Sequence, residues 1–305
     1  MYAAPPVVET EVFARLPDEF RKSGHGSSEW FHQQPARLSA HSLLEGPSFD
    51  IDGNLYCVDI PWGRIFKVDP RGDFSLVAEY DGEPNGLKIH KDGRIFIADY
   101  RHGIMVMDPD TKVVKPFLQR VRLEHLKAVN DLFFGPDGSL YFTDQGLTGL
   151  QDPTGRVFRV KPDGSIDCLL NNVPSPNGLV MDPGGTTLYV AATRGNAIWR
   201  VPLMRDGTVA KVGIFIQMSG GGGPDGLAVD EAGNLAVAHV GIGAVWQFSK
   251  QGEPIARIQS HLGHHTTNVA YGGPDRTELY ITESESGTIL KAKLSVPGQR
   301  MFSGV

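Results

Sequence analysis

One eight-residue pattern recurs six times along the chain, and it constrains the fold more than anything else in the sequence. The copies read D-G-N-L-Y-C-V-D (52–59), D-G-R-I-F-I-A-D (92–99), D-G-S-L-Y-F-T-D (137–144), G-T-T-L-Y-V-A-A (185–192), A-G-N-L-A-V-A-H (232–239) and R-T-E-L-Y-I-T-E (276–283). Short apolar runs rich in Val, Ile, Phe and Tyr are strand signals, and D-G pairs mark tight turns. Each copy is followed by another strand, such as R-I-F-K-V or A-V-W-Q-F, and most by a fourth, such as F-S-L-V-A-E-Y (74–80). Each is preceded by a strand beginning at residue 45, 85, 130, 177, 225 or 268, so the repeats lie 40, 45, 47, 48 and 43 residues apart. Four strands every 40–50 residues are the signature of a propeller blade. The expected fold is therefore all-β: a single six-bladed β-propeller with four-stranded antiparallel blades, filling residues 1–305 as one domain. The six repeats occupy 42–294, a short tail 295–305 and an irregular excursion 17–41. The orphan strand V-V-E-T-E-V-F-A-R-L (7–16) is expected to close the ring as the outer strand of blade six.

The rest of the composition narrows the function classes. Glycine and proline together make up about 19% of the 305 residues, turn-rich but below low-complexity levels. The net charge is -6 with no basic stripe, which argues against a nucleic-acid surface. No apolar run approaches a membrane span, so no membrane partner is expected. Two cysteines, Cys57 and Cys168, form neither a disulfide framework nor a metal cluster. M-Y-A-A-P-P-V-V-E-T lacks a charged start and an apolar run, so the expected location is cytoplasmic, or periplasmic for a form whose signal was removed.

The first strand of each blade lines the central channel, and each begins with a polar residue: Glu45, Asn85, Asn130, Asn177, Asp225 and Asn268. The spacing to the next strand's aromatic or equivalent position is 11 or 12 every time, which predicts one ring at one mouth of the channel. Glu, Asp and Asn oxygens suit a hard divalent cation; calcium is favoured, with magnesium and manganese accepting the same set. Glu45, Asn177 and Asp225 are the strongest candidate ligands. Loops at the same edge would wall a pocket over the ring. They carry Asp59–Trp62, Tyr100–His102, Asp144 and Gln145, Thr193–Asn196, His239 and Glu283–Glu285, and the long loop 145–155 is a candidate lid or wall. The histidines are scattered. His261 and His265 have H-x-x-x-H spacing without the Glu and helix of a zincin, leaving only a propeller-type zinc site open. There is no G-x-S-x-G elbow. The Gly-rich run 220–226 leads into a strand rather than a helix, so it serves close backbone approach instead of phosphate binding.

L-E-G-P-S-F, A-V-N-D-L, S-P-N-G-L, G-P-D-G-L-A-V-D-E-A-G-N-L and T-N-V-A-Y-G-G-P-D-R-T-E-L-Y-I-T-E, in this order, resemble the gluconolactonase, senescence-marker-protein and luciferin-regenerating-enzyme family over 42–294. The resemblance implies a six-bladed fold, one divalent cation, commonly calcium, and hydrolysis of a small-molecule lactone. Carried over by motif, the metal ligands are Glu45, Asn177 and Asp225. Asp225 is also the general base or acid, and Asn130 contacts the metal, its water or the substrate. Asp131 is a further contact. Arg101 and Arg194 are candidates for the arginines that hold sugar-lactone hydroxyls in some relatives, and they match no clear motif. Asn85, Tyr100, Trp62, His239 and Asn268 complete the expected substrate pocket. The readings from other classes are a metal-dependent phosphotriesterase-type hydrolase and a non-catalytic ligand-binding propeller with a structural cation. The oligomeric state is left open.

Overall fold

The computed structural model describes residues 3–22, 28–34 and 40–305. Six antiparallel sheets follow one another along the chain. Blade one comprises Leu44–Phe49, Leu55–Asp59, Arg64–Val68 and Phe74–Glu79; blade two, Pro84–Ile89, Ile95–Asp99, Gly103–Met107 and Val114–Leu118. Blade three comprises Val129–Phe134, Leu140–Asp144, Gly155–Val160 and Ile166–Val173; blade four, Pro176–Met181, Thr187–Ala192, Ala197–Pro202 and Gly213–Gln217. Blade five comprises Gly223–Val229, Leu235–Val240, Ala244–Phe248 and Pro254–Gln259; blade six, Thr266–Gly272, Glu278–Glu283 and Thr288–Lys293. The innermost strands pack side by side, blade six returning to blade one, so the sheets close into a ring.

The sequence pattern explains the layering. Inner strands are buried on both faces because each blade is sandwiched between two others, and Leu44–Phe49 is buried throughout, Glu45 and Ser48 included. Outer strands face water: in Phe74–Glu79 every residue keeps some exposure. The core is divided into wedges between neighbouring blades. Val58, Ile65, Leu87 and Ile97 fill one wedge, and Phe96, Phe134, Phe142 and Phe158 the next. The D-G turns work as expected: Gly53 adopts φ +80°, and the Asp50 side chain accepts from the Asn54 backbone N–H at 2.8 Å.

The ring is closed by the N-terminal strand, with one refinement. Glu11–Arg15 pairs antiparallel with Thr288–Lys293 as the fourth strand of blade six. Val7–Glu9 instead pairs parallel with Pro254–Gln259, adding a fifth strand to blade five. The N-terminus thus clasps two blades. In the segment 17–41, Asp18–Phe20 forms a 3-10 turn and Glu29–His32 a short helix, while 23–27 and 35–39 lie outside the described residues. No helix among the described residues is long and apolar enough to cross a membrane.

The tail after blade six has a role that its sequence did not reveal. Gln299 donates its backbone N–H to the Val229 carbonyl and its side-chain amide to the Met181 carbonyl, both at 3.0 Å. Phe302 stacks on Phe134. Met301 and Val305 cover the channel where Ser48, Lys88, Phe133, Val180, Ala228 and Ala270 ring it, leaving a void of about 40 Å³. The tail stoppers one mouth of the channel.

Candidate functional site

The open mouth is built by a repeated irregularity. Each innermost strand pairs regularly with the second strand except near its start, where the register shifts, as between Glu45 and Ser48, Val129 and Leu132, or Pro224 and Leu227. Such bulges take residues out of the ladder and re-aim their side chains. Counting from the paired positions, Glu45, Asn85, Asn130, Asn177 and Asp225 share one height. The blade-six residue at that height is Thr267, because Ala270 pairs with Tyr280 as Ser48 pairs with Tyr56. Asn268, expected in the ring, sits one step further down the channel. The turn between the first two strands is two residues longer in blade six than in blade one, which masks the shift when spacing alone is counted. Thr267 spends its hydroxyl on the Leu44 carbonyl, at 2.9 Å.

Under the ring lies a second layer: Gly46, Gly86, Asp131, Gly178, Gly226 and Asn268. The glycines make room for the two larger residues. A Cβ at Gly86 would come within 2.4 Å of an Asp131 carboxylate oxygen, and one at Gly226 within 2.0 Å of the Asn268 amide oxygen. Asn268 donates its Nδ2–H to Glu45 Oε2 at 2.7 Å, and the Gly46 N–H donates to the same oxygen at 2.6 Å. Asp131 accepts from the Leu132 N–H at 2.8 Å and lies 3.9 Å from Lys88 Nζ. Both residues support the ring from below and do not line the cavity.

In the ring itself, Asn130 donates its Nδ2 hydrogens to Tyr100 Oη at 3.0 Å and Gln145 Oε1 at 3.1 Å. The Tyr100 hydroxyl donates to Gln145 Oε1 at 2.6 Å, and Gln145 donates to Ser175 Oγ at 3.0 Å. This leaves the buried Oδ1 of Asn130 without a hydrogen-bond partner. Burial pushes the Asp225 carboxyl up to about 8, helped by the Asp131 charge and opposed by Arg194 and by a hydrogen bond with Asn177. Burial also holds the Glu45 carboxyl well above its ordinary range, reinforced by the Asp225 and Asp131 charges. Among the described residues no three His, Cys, Asp or Glu side chains form a metal-holding group. The ring offers a different donor set: two carboxylates short of positive charge, an orphaned amide oxygen, and the amides of Asn85 and Asn177. An orphaned buried acceptor and two buried anions are costly alone, and a hard, oxygen-seeking divalent cation would satisfy all three. The residues present fit such a cation.

Above the ring opens a cavity of about 780 Å³. Glu45, Asn85, Asn130, Asn177 and Asp225 form its floor, and Tyr100 and Arg194 stand in its wall. Other expected pocket residues do not reach it. Arg101 turns to an ion pair with Asp81. Trp62 lies behind the wall, its ring 5.8 Å from that of Phe31. His239 is buried, its Nε2 2.9 Å from the Gly220 carbonyl oxygen. The carboxylates ending the second strands are also structural: Asp59 pairs with buried Arg64 and accepts the Leu43 N–H, and Asp144 accepts the Lys127 and Ala128 N–H groups. The loop 145–155 does wall the cavity through Leu147, Thr148, Leu150 and Gln151. The Gly-rich run lets backbone approach closely, since a Cβ at Gly223 would meet the Thr193 carbonyl oxygen at 2.1 Å. Ile60 reaches the cavity from the expected Asp59–Trp62 loop, whereas Trp30, Gln33 and Gln34, from the excursion, with Leu43 and Val240, line it unforeseen. Their one signal was E-W-F-H, two large aromatics inside a polar segment.

Comparison with known proteins bears on the family and the fold. The family model described as SMP-30/Gluconolactonase/LRE-like region matches residues 43–285. The Lactonase drp35 of Staphylococcus saprophyticus is 32% identical over 262 residues, covering 80% of this chain and 79% of that one. The fold resembles regucalcin of Agrobacterium tumefaciens, a calcium-binding protein, with a TM-score of 0.78, 24% identity and coverage of 99% and 100% of the two chains. It also resembles a gluconolactonase of Xanthomonas campestris, with a TM-score of 0.74, 24% identity and coverage of 83% and 86%.

Proposed function

The chain belongs to the SMP-30/gluconolactonase/LRE-like family, and on that premise we propose that it is a divalent-cation-dependent lactonase, with Glu45, Asn130, Asn177 and Asp225 as the cation's ligands. The observation that carries this reading is the orphaned Asn130 Oδ1 beside two buried carboxylates whose ionisation is opposed by burial. The all-oxygen donor set, with no Cys or His in the ring, favours calcium over zinc; magnesium and manganese accept the same ligands. When bound, the cation would polarise the lactone carbonyl and stabilise the charge that develops on its oxygen.

The chain's own residues would do the rest. Asp225, ionised beside positive charge, takes a proton from the attacking water as the water oxygen bonds to the carbonyl carbon. It returns that proton to the ring oxygen as the C–O bond breaks, so the product is an open hydroxy acid. Asn177 holds Asp225 through their hydrogen bond, and Asn268 with the Gly46 N–H fixes Glu45. Asn cannot accept a proton at neutral pH but keeps an oxygen for the cation. Asp225→Asn should therefore keep bound metal and lower turnover by about 10²–10⁴-fold. Metal content by mass spectrometry and lactone hydrolysis are measured on the same sample; full turnover with metal retained would make Asp225 a ligand only.

A further inference from the structure

Above the charged floor the cavity's walls mix neutral polar side chains, among them Gln33, Gln34, Gln145, Thr148 and Gln151, with apolar ones. Above the ring no further carboxylate lines it, and Arg194 is the one guanidinium in the wall among the described residues, its Nη1 donating to the Gly222 carbonyl at 3.3 Å. Apolar side chains come from three directions: Trp30 from the excursion, Leu43 and Ile60 from blade one, Leu147 and Leu150 from the blade-three loop, and Val240 from blade five. Leu147 and Leu150 are 68% and 73% exposed, and large apolar side chains held in water around a concave site are placed to be covered by a ligand.

Trp30 is fixed in place. The Ser28 hydroxyl and the Trp30 N–H both donate to Glu83 Oε1, at 2.6 and 2.7 Å. Glu83 is itself buried. Phe31 packs edge-on against Trp30 and Trp62, and Ile60 completes the apolar cluster behind them. Trp30 and Phe31 lie before residue 43, where the family match begins, while Ile60, Trp62 and Glu83, which hold them, lie within it.

We infer that Trp30, with Ile60 and Leu150, sets the substrate class of this site: a lactone bearing an apolar substituent several carbons long, in preference to a bare or polyhydroxylated ring. The inference rests on the lactonase reading. Burying one methylene contributes about 0.8 kcal/mol, or about fourfold in kcat/KM. The floor would hold the lactone ring while its substituent packs on the Trp30 wall.

The experiment measures kcat and KM of the full chain with calcium on γ-lactones carrying no substituent, a methyl, a propyl and a hexyl group, with glucono-δ-lactone as the polar comparator. The expected result is a kcat/KM that rises at least about tenfold from methyl to hexyl, mainly through KM. Trp30→Ala and Leu150→Ala should each cut the hexyl-to-methyl ratio by about three- to tenfold, whereas Trp30→Phe should keep most of it. Leu150 is exposed, so its variant tests the wall without risk to the fold. A flat series, gluconolactone preferred over the hexyl lactone, or ratios unchanged in both alanine variants overturns this inference and leaves the lactonase reading standing. No turnover of any of these lactones at any calcium concentration overturns the lactonase reading and the inference with it.

Discussion

Two acceptors orient the Asn130 amide. Its Nδ2 donates to Tyr100 Oη and Gln145 Oε1, which turns its oxygen toward the ring. Tyr100→Phe removes one of those acceptors and also the hydroxyl that bonds Gln145. Loss of a partner that orients a ligand typically weakens metal binding about 10–100-fold. Calorimetric titration of calcium into Tyr100→Phe should show a loss in that range with the thermal midpoint of the cation-free protein little changed; unaltered affinity would mean Asn130 holds its orientation without the tyrosine. At this scale five of the six ring positions were legible, because in those blades the spacing to the next strand varies by no more than one residue. Thr267 was not, because the longer turn of blade six offsets the count. Nor were the support roles of Asp131 and Asn268, since a glycine's value lies in the neighbour it admits, and that neighbour is on another blade.

Strands and segments differ in how much they declare of themselves. The blades were legible because each strand carries its own alternation and each turn its own D-G signal. The N-terminal strand announced that it was a strand, but which edge it would meet depended on two free edges, and it serves both. That division is testable. Leu16 is 1% exposed just beyond Glu11–Arg15 and packs into the wedge between blades six and one. Val8 lies half-buried on the added fifth strand of blade five. Leu16→Ala should destabilise the protein by about 2–5 kcal/mol and Val8→Ala by less than about 1.5 kcal/mol, read from denaturant unfolding. Equal losses would show that the parallel strand carries as much of the closure as the antiparallel one. The short helix Glu29–His32 was missed for a different reason. At four residues it has no periodicity to read, and its position is decided by Glu83, more than 50 residues away.

Across the whole molecule, two buried carboxylates at the centre of a ring couple proton, cation and stability. The folded-state Asp225 carboxyl stands near 8 against an ordinary 3.8. Its contribution to stability without cation is therefore complete below the unfolded value and is lost as the pH rises through about 8, because unfolding then releases a carboxyl that ionises freely. Glu45 is shifted in the same direction. Melting of chelator-treated protein should fall from pH 5 to pH 9, and the gain on adding calcium should widen over the same interval, since the cation displaces protons from its ligands. A calcium-induced gain that is constant with pH would show that these carboxylates are not where the cation sits. The tail that covers the far end of the channel has its own consequence. With Met301 and Val305 over that mouth, the site is a cul-de-sac. Incoming lactone and departing hydroxy acid must use the same doorway, so each visit ends before the next begins, and the product is by geometry a rival for the place it has just left.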